Sequence, residues 1–261
     1  MESNLLLENY LKRLRLPTMA KDYLKLAEDA GKANLPYEKY LLALAEQEVI
    51  RREENAFAMR MKRAGFPVMK TFDSFNFADS PGIDKQRMLE LAECHWIDKA
   101  EVVILVGNPG IGKSHCATAL GMEACRRGKR VRWDTAEGLA TKIREAKAEM
   151  VYGKLQKQLD RTDLVICDEL GYVSLCRESA QTLFQFFSQR HERRSAIITT
   201  NLEFGKWTEV FGEERMTAAL LDRLTHKGHI FLGTGDTNRF PESLKRKQAS
   251  KKTRTTKRER R

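Results

Sequence analysis

Three glycines, a lysine and a serine stand at Gly107-Asn108-Pro109-Gly110-Ile111-Gly112-Lys113-Ser114, a spacing of G-x-x-x-x-G-K-[ST] that suits phosphate chemistry. Glycines at 107, 110 and 112 let the main chain turn tightly with its amide hydrogens aimed at an anion, and the positive end of a following helix stands behind them. Lys113 is expected to reach the β- and γ-phosphates of a nucleotide, and Ser114 to offer its hydroxyl to a magnesium ion. The apolar run Val102-Val103-Ile104-Leu105-Val106 directly before the loop reads as the strand that feeds it.

A second apolar run, Leu164-Val165-Ile166-Cys167, ends in Asp168-Glu169, about 55 residues after the loop. In a phosphate-loop protein the first acid, Asp168, holds magnesium, often through water, and the second, Glu169, activates the water that attacks the terminal phosphate. A third run ends in Ile197-Ile198-Thr199-Thr200-Asn201, where the Asn201 amide is placed to orient that water or touch the γ-phosphate. Arg223, in Leu220-Leu221-Asp222-Arg223-Leu224, is a candidate to reach the nucleotide of a neighbouring subunit. By pattern alone, Arg223, Arg215 and Arg193 are more often surface ion-pair residues.

The elements that must position these residues fall into three parts. Residues 1–66 carry helical spacing, with Leu7, Tyr10, Leu11 and Leu14 at i, i+3, i+4 and i+7. A break at Pro17 comes next, then a short helix from about Met19 to Ala30 that ends at Gly31, and a longer one from Tyr37 to Ala64 that ends at Gly65. Phe72, Phe75 and Phe77, closed by Ser80-Pro81-Gly82, read as a linker that packs its aromatic rings onto the next domain. Within a domain of residues 67–240, the chain from about residue 83 alternates between strand-like runs (102–106, 130–134, 163–167, 196–200, 229–232) and helices such as Lys113–Arg127, Arg177–Arg193 and Glu214–Thr225. That alternation predicts an α/β fold, a parallel sheet flanked by helices with its ligand at the carboxyl ends of the strands.

Charge is concentrated in the third part. Of the net +11, residues 241–261 carry +8, ten Lys or Arg against Glu242 and Glu259. Such a polybasic tail reads as a disordered extension suited to contact with a nucleic-acid backbone. If about six of its charges met phosphates, log K would fall with log salt at a slope near −5. Cys94, Cys116, Cys125, Cys167 and Cys176 are odd in number, show no C-x-x-C pair and sit mostly among apolar neighbours, so reduced thiols are expected. No run approaches the roughly 18 apolar residues of a membrane span and no secretory signal pattern opens the chain, so a soluble, cytoplasmic protein without membrane contact is expected.

GNPGIGKS, VICDELGYV, IITTN and the segment NLEFGKWTEVFG followed by MTAALLDRLTHKGHIF resemble the IstB-type helper ATPases of insertion sequences, AAA+ proteins related to the DnaC helicase loaders. The resemblance covers nearly the whole chain. It implies an AAA+ P-loop NTPase core with a small all-α N-terminal domain and no C-terminal lid, because little chain remains after the strand that ends near Leu232. It implies ATP and Mg2+ as cofactors, ATP hydrolysis as an assembly switch, and a homo-oligomer on double-stranded DNA. That oligomer would stimulate a partner transposase without strand-transfer chemistry of its own. Matched residue by residue, Gly107 to Ser114 become the phosphate loop, Asp168 and Glu169 the magnesium and hydrolysis acids, and Asn201 the first sensor. Arg223 becomes the arginine finger acting across a subunit boundary, with Arg215 a second basic residue near the same edge.

A DnaC-like helicase loader shares every one of these motifs and differs in its partner. A small-molecule kinase shares only the phosphate loop, and Asp168-Glu169, Asn201 and the basic tail stand against it.

Overall fold

The computed structural model describes residues 2–80 and 82–233; the basic tail and the end of the chain where a lid would sit lie outside the described residues. Two compact units emerge, one up to Met59 and one from Arg60 on.

The first unit is built from helices. Helix α1 covers Glu2–Arg13, α2 covers Pro17–Lys32 and α3 runs through Tyr37–Ala64. The second helix is longer at both ends than its spacing predicts. Pro17 suits a first helical position, where no amide hydrogen is needed, and Gly31 does not stop the helix. Asn34 does, in a left-handed turn at φ 48°. The Leu35 N–H reaches Ala30 O at 2.9 Å and the Asn34 N–H reaches Gly31 O at 3.2 Å, the paired closing bonds of a Schellman motif. Leu16, the residue before α2, has no side chain that can cap it. The cap comes instead from Glu48 of α3, whose carboxylate accepts the Thr18 and Met19 N–H groups at 2.8 and 3.1 Å.

In the second unit, two short helices, α4 (Lys85–Ala92) and α5 (His95–Asp98), lead into β1 (Val102–Gly107) and α6 (Lys113–Arg126). Then come β2 (Val131–Thr135), α7 (Ala136–Ala148) and α8 (Tyr152–Arg161). The chain continues through β3 (Leu164–Leu170), α9 (Arg177–Arg190), β4 (Ser195–Thr200), α10 (Thr208–Phe211), α11 (Glu214–His226) and β5 (Gly228–Gly233). The five strands form one parallel sheet in the order β2-β3-β4-β1-β5. Apolar runs without alternation mark strands buried on both faces, and all six residues of β4 are buried.

One face packs on α7, α9, α10 and α11, with Leu139, Leu183, Phe187, Trp207 and Leu220 fully buried against Val165, Cys167 and Ile198. The other face receives α6, which presents small residues. A side chain at Gly121 would stand 2.6 Å from the Ile166 side chain, so only glycine allows this approach. Arg190 ties the base of the unit together: it is buried and donates to the carbonyls of Ser195, Leu159 and Thr162 at 2.9, 3.2 and 2.8 Å. Burial pushes its guanidinium down to about 9.

Candidate functional site

Parallel strands end together, so the loops after β1, β3 and β4 open on one side of the sheet. There Pro109, Gly110, Lys113, Ser114, Glu169, Tyr172, Thr199, Thr200 and Asn201 line one open cleft. Segments separated by nearly a hundred residues of chain thus share one opening.

The loop from Gly107 to Gly112 leaves the buried strand β1 and ends at the first turn of α6. Gly112 has φ 95°, a conformation side chains disfavour, and a Cβ there would meet the Phe75 ring at 2.3 Å. The aromatic linker is therefore fastened to the loop. Phe75 packs against His115 with ring centroids 5.0 Å apart, His115 Nε2 lies 2.7 Å from Thr71 O, and the Ser80 hydroxyl donates to Ile111 O at 2.7 Å. Lys113 extends over its own loop and donates to Gly107 O at 2.6 Å and Asn108 O at 2.9 Å.

Ser114, at the start of α6, donates its hydroxyl to Asp168 Oδ1 at 2.8 Å. Asp168 is buried at the end of β3, and the next residue, Glu169, is exposed. A hydroxyl beside one carboxylate is a hard-oxygen pair whose chemistry fits magnesium, which keeps several waters and uses few protein ligands. Asn201 stands just after β4, and its Oδ1 is buried without a hydrogen-bond partner. Among the described residues, this acceptor is left unpaired at a cost of about 1–3 kcal/mol.

The two arginines behave differently from the rest. Arg223 is half-buried on α11, donates to Ser188 Oγ at 2.7 Å and lies over the Phe184 ring, 5.8 Å from its centroid. Arg215 is exposed and has no hydrogen bond or ion pair among the described residues. Neither lines the cleft of its own chain.

Residues 9–249 match the IstB-like ATP binding protein family. The chain belongs to that family. It is 37% identical over 248 residues to a putative ATP-binding protein of insertion sequence IS5376 from Geobacillus stearothermophilus, covering 94% of this chain and 98% of the relative. It is 35% identical over 239 residues to the putative ATP-binding protein of IS21 from Pseudomonas aeruginosa, covering 92% and 90%. Among solved structures, the replication initiator DnaA bound to AMPPCP and single-stranded DNA superposes with a TM-score of 0.52 at 19% identity, over 70% of this chain and 56% of that one. This last likeness is one of fold.

The IstB-like chain is thus an ATPase on an AAA+ P-loop fold, as its motifs imply. Sequence reading did not single out Tyr172 or Thr199 as cleft residues. Thr199 precedes Asn201 at a strand end, and that position was the one available signal. Four of the five thiols of this IstB-like protein, Cys94, Cys116, Cys125 and Cys167, are buried, and burial pushes Cys116 up to about 12; Cys176 is exposed, and its hydrogen bonds with Ser179 hold its thiol below the ordinary value. No group of three or more His, Cys, Asp or Glu able to hold a metal occurs among the described residues, and no described helix is long and apolar enough to cross a membrane.

Proposed function

We propose that the protein is an ATP-dependent, DNA-binding helper of transposition that oligomerises on target DNA and stimulates a partner transposase. One observation carries the oligomeric part: the cleft gathers phosphate-loop residues, Glu169 and Asn201, with Asp168 bonded to Ser114, yet no arginine among the described residues lines it. Phosphoryl transfer needs cationic charge at the transition state beyond one lysine. A neighbouring subunit supplies it most simply.

In this reading the amides of Gly107 to Ser114 and the Lys113 ammonium grip the triphosphate, and Ser114 and Asp168 hold the metal. Magnesium, when bound, neutralises phosphate oxygens and the charge that builds on the leaving group. Glu169 polarises the attacking water and Asn201 Oδ1 orients it. Arg223 of the next subunit releases Ser188 and turns to the same triphosphate, so two packings of the oligomer differ in energy according to the nucleotide. Residues 67–240 form the ATPase domain, residues 1–66 offer the partner surface, and the basic tail contacts DNA phosphates without reading sequence.

The test is light scattering of the full chain with long duplex DNA in ATP, ADP or no nucleotide. ATP alone should drive large DNA-bound particles, and Lys113→Ala should abolish them. Arg223→Ala should abolish them as well, while Arg215→Ala retains them; the opposite pattern transfers the finger to Arg215. An intact protein that stays monomeric and ignores DNA in every nucleotide state sinks the reading. Adding the transposase of the same element to those particles, with strand transfer as the readout, separates a transposition helper from a helicase loader.

A further inference from the structure

Strands β3 and β4 pair in register from Leu164 opposite Ser195 to Cys167 opposite Ile198, and pairing resumes at Leu170 opposite Thr200. Two residues of β3, Asp168 and Glu169, therefore face one residue of β4, Thr199. That is a β-bulge.

Its effect is visible in the side-chain pattern. Along a regular strand, residues 165, 167 and 169 would share one sheet face and 168 and 170 the other. Here Leu170, not Glu169, joins Val165 and Cys167 in the core against α7 and α9. The extra residue frees Glu169 from the core face and lets it line the same cleft as Ser114. Without the bulge, the two acids would point to opposite sides of the sheet.

A bulge breaks the ladder, and the main chain there needs other partners. Thr199 provides them with one hydroxyl. Its oxygen accepts the Glu169 N–H at 2.9 Å, and its proton is donated to Asp168 Oδ1, the oxygen that also receives the Ser114 hydroxyl. Thr199 is 1% exposed, so water does not compete for these bonds. Glu169 has φ 62°, a left-handed conformation that non-glycine residues hold only where surrounding structure imposes it.

We propose that Thr199 is a positioning residue for hydrolysis: its buried hydroxyl pins the bulge in β3 and so sets Glu169 in the cleft while holding Asp168 against Ser114. The catalytic half of this inference rests on the roles given above to Asp168 and Glu169.

The experiment uses the full chain with Thr199→Val, Thr199→Ala, Thr199→Ser and Glu169→Gln. Three quantities are read: exchange of the Glu169 amide by NMR in nucleotide-free protein, kcat for ATP, and Kd for a fluorescent ATP analogue. Thr199→Val should speed exchange at Glu169 by about tenfold or more and lower kcat by about ten- to a hundredfold, as misplaced catalytic groups do. Its Kd should stay within about twofold, since the positioning acts in the transition state and not in ground-state binding. Thr199→Ala carries the same expectation should the valine variant fail to fold, and Thr199→Ser should restore all three readings. Unchanged protection of Glu169 without the hydroxyl overturns the pin. A parallel loss of kcat and Kd, or a serine variant that behaves like valine, overturns positioning in favour of packing. Wild-type turnover in Glu169→Gln overturns the role of the acid and with it the catalytic half, while the pin is then decided by amide protection alone.

Discussion

From Arg60 on, the protein buries Trp207, Phe187, Leu120 and Ile166 almost completely; up to Met59 the buried apolar side chains among the described residues are Tyr23 and Leu44. In the same first unit Leu5, Leu6, Tyr10, Leu14, Leu41, Leu42 and Ile50 are exposed. The ATPase unit closes a large core around its sheet. The helical unit is too small to do this, as short chains bury a smaller share of their surface, and it leans on directed polar bonds. Tyr40 donates to Tyr23 O at 3.0 Å, and Glu48 collects two amides of α2 together with the Arg52 guanidinium at 2.8 Å. The contrast teaches that equal changes in the two units should act through different physics: apolar truncation in one, loss of a carboxylate in the other.

The cleft gives the largest expected effect. Glu169→Gln keeps the shape and removes the base, so phosphate release should fall by about 10²–10⁴-fold. Binding of a fluorescent ATP analogue should persist, and turnover near the wild-type rate would remove Glu169 from the chemistry. Lys113→Ala should instead lose binding and turnover together, because its ammonium extends over the loop that is meant to hold the phosphates. A lysine variant that binds ATP normally would mean that the loop amides alone suffice.

Next in size is the core. Trp207 is fully buried, stacks edge-on with Phe204 at 5.6 Å and donates its indole N–H to Leu202 O at 3.3 Å. Trp207→Ala should cost about 3–5 kcal/mol of ATPase-unit stability, the usual loss for a truncated core aromatic. Urea unfolding followed through the ATPase unit should show the loss as a lower midpoint. A midpoint unchanged from the wild type would mean that this core relaxes around the hole.

These expectations also mark how far the sequence could be read. The phosphate loop, Asp168-Glu169 and Asn201 were legible because each is a short motif tied to a strand end, and the apolar runs locate all five strands within a residue or three. Helix α2 was misjudged at both ends, since Gly31 looks like a stop while the stop is the αL turn of Asn34. Helices α7 and α8 had no individual placement. Their segment mixes Glu, Lys and Ala, and only the Thr135 cap on the Gly138 N–H at 3.0 Å fixes where the first begins. The bulge at Thr199 was beyond reach, because it exists only once β3 and β4 are paired. Likewise nothing near Leu16 announces that α2 is capped by a carboxylate some thirty residues away.

That distant cap gives the smallest and most selective effect. Burial alone would raise the Glu48 carboxyl, but hydrogen bonds from the Met19 N–H, the Arg52 side chain and the Thr18 N–H outweigh it and hold the group below the ordinary carboxylate range. A carboxyl lowered on folding contributes stability that is present above its unfolded pKa, about 4.3, and that is lost as pH falls through the folded value. Glu48→Gln keeps an acceptor but not the charge, so at pH 7 it should cost about 1 kcal/mol, the typical worth of an N-cap. Exchange of the Thr18 and Met19 amides should quicken about fivefold at that pH, the equivalent of 1 kcal/mol. On acidification the wild type should approach the variant, while exchange of Ile197 and Ile198 in β4 stays the same in both proteins, because the ATPase unit does not draw on this carboxylate. A gap between the two proteins that survives below the folded pKa would show that the cap works by shape and not by charge. Equal acid sensitivity in both units would erase the contrast between a core-built and a bond-built half.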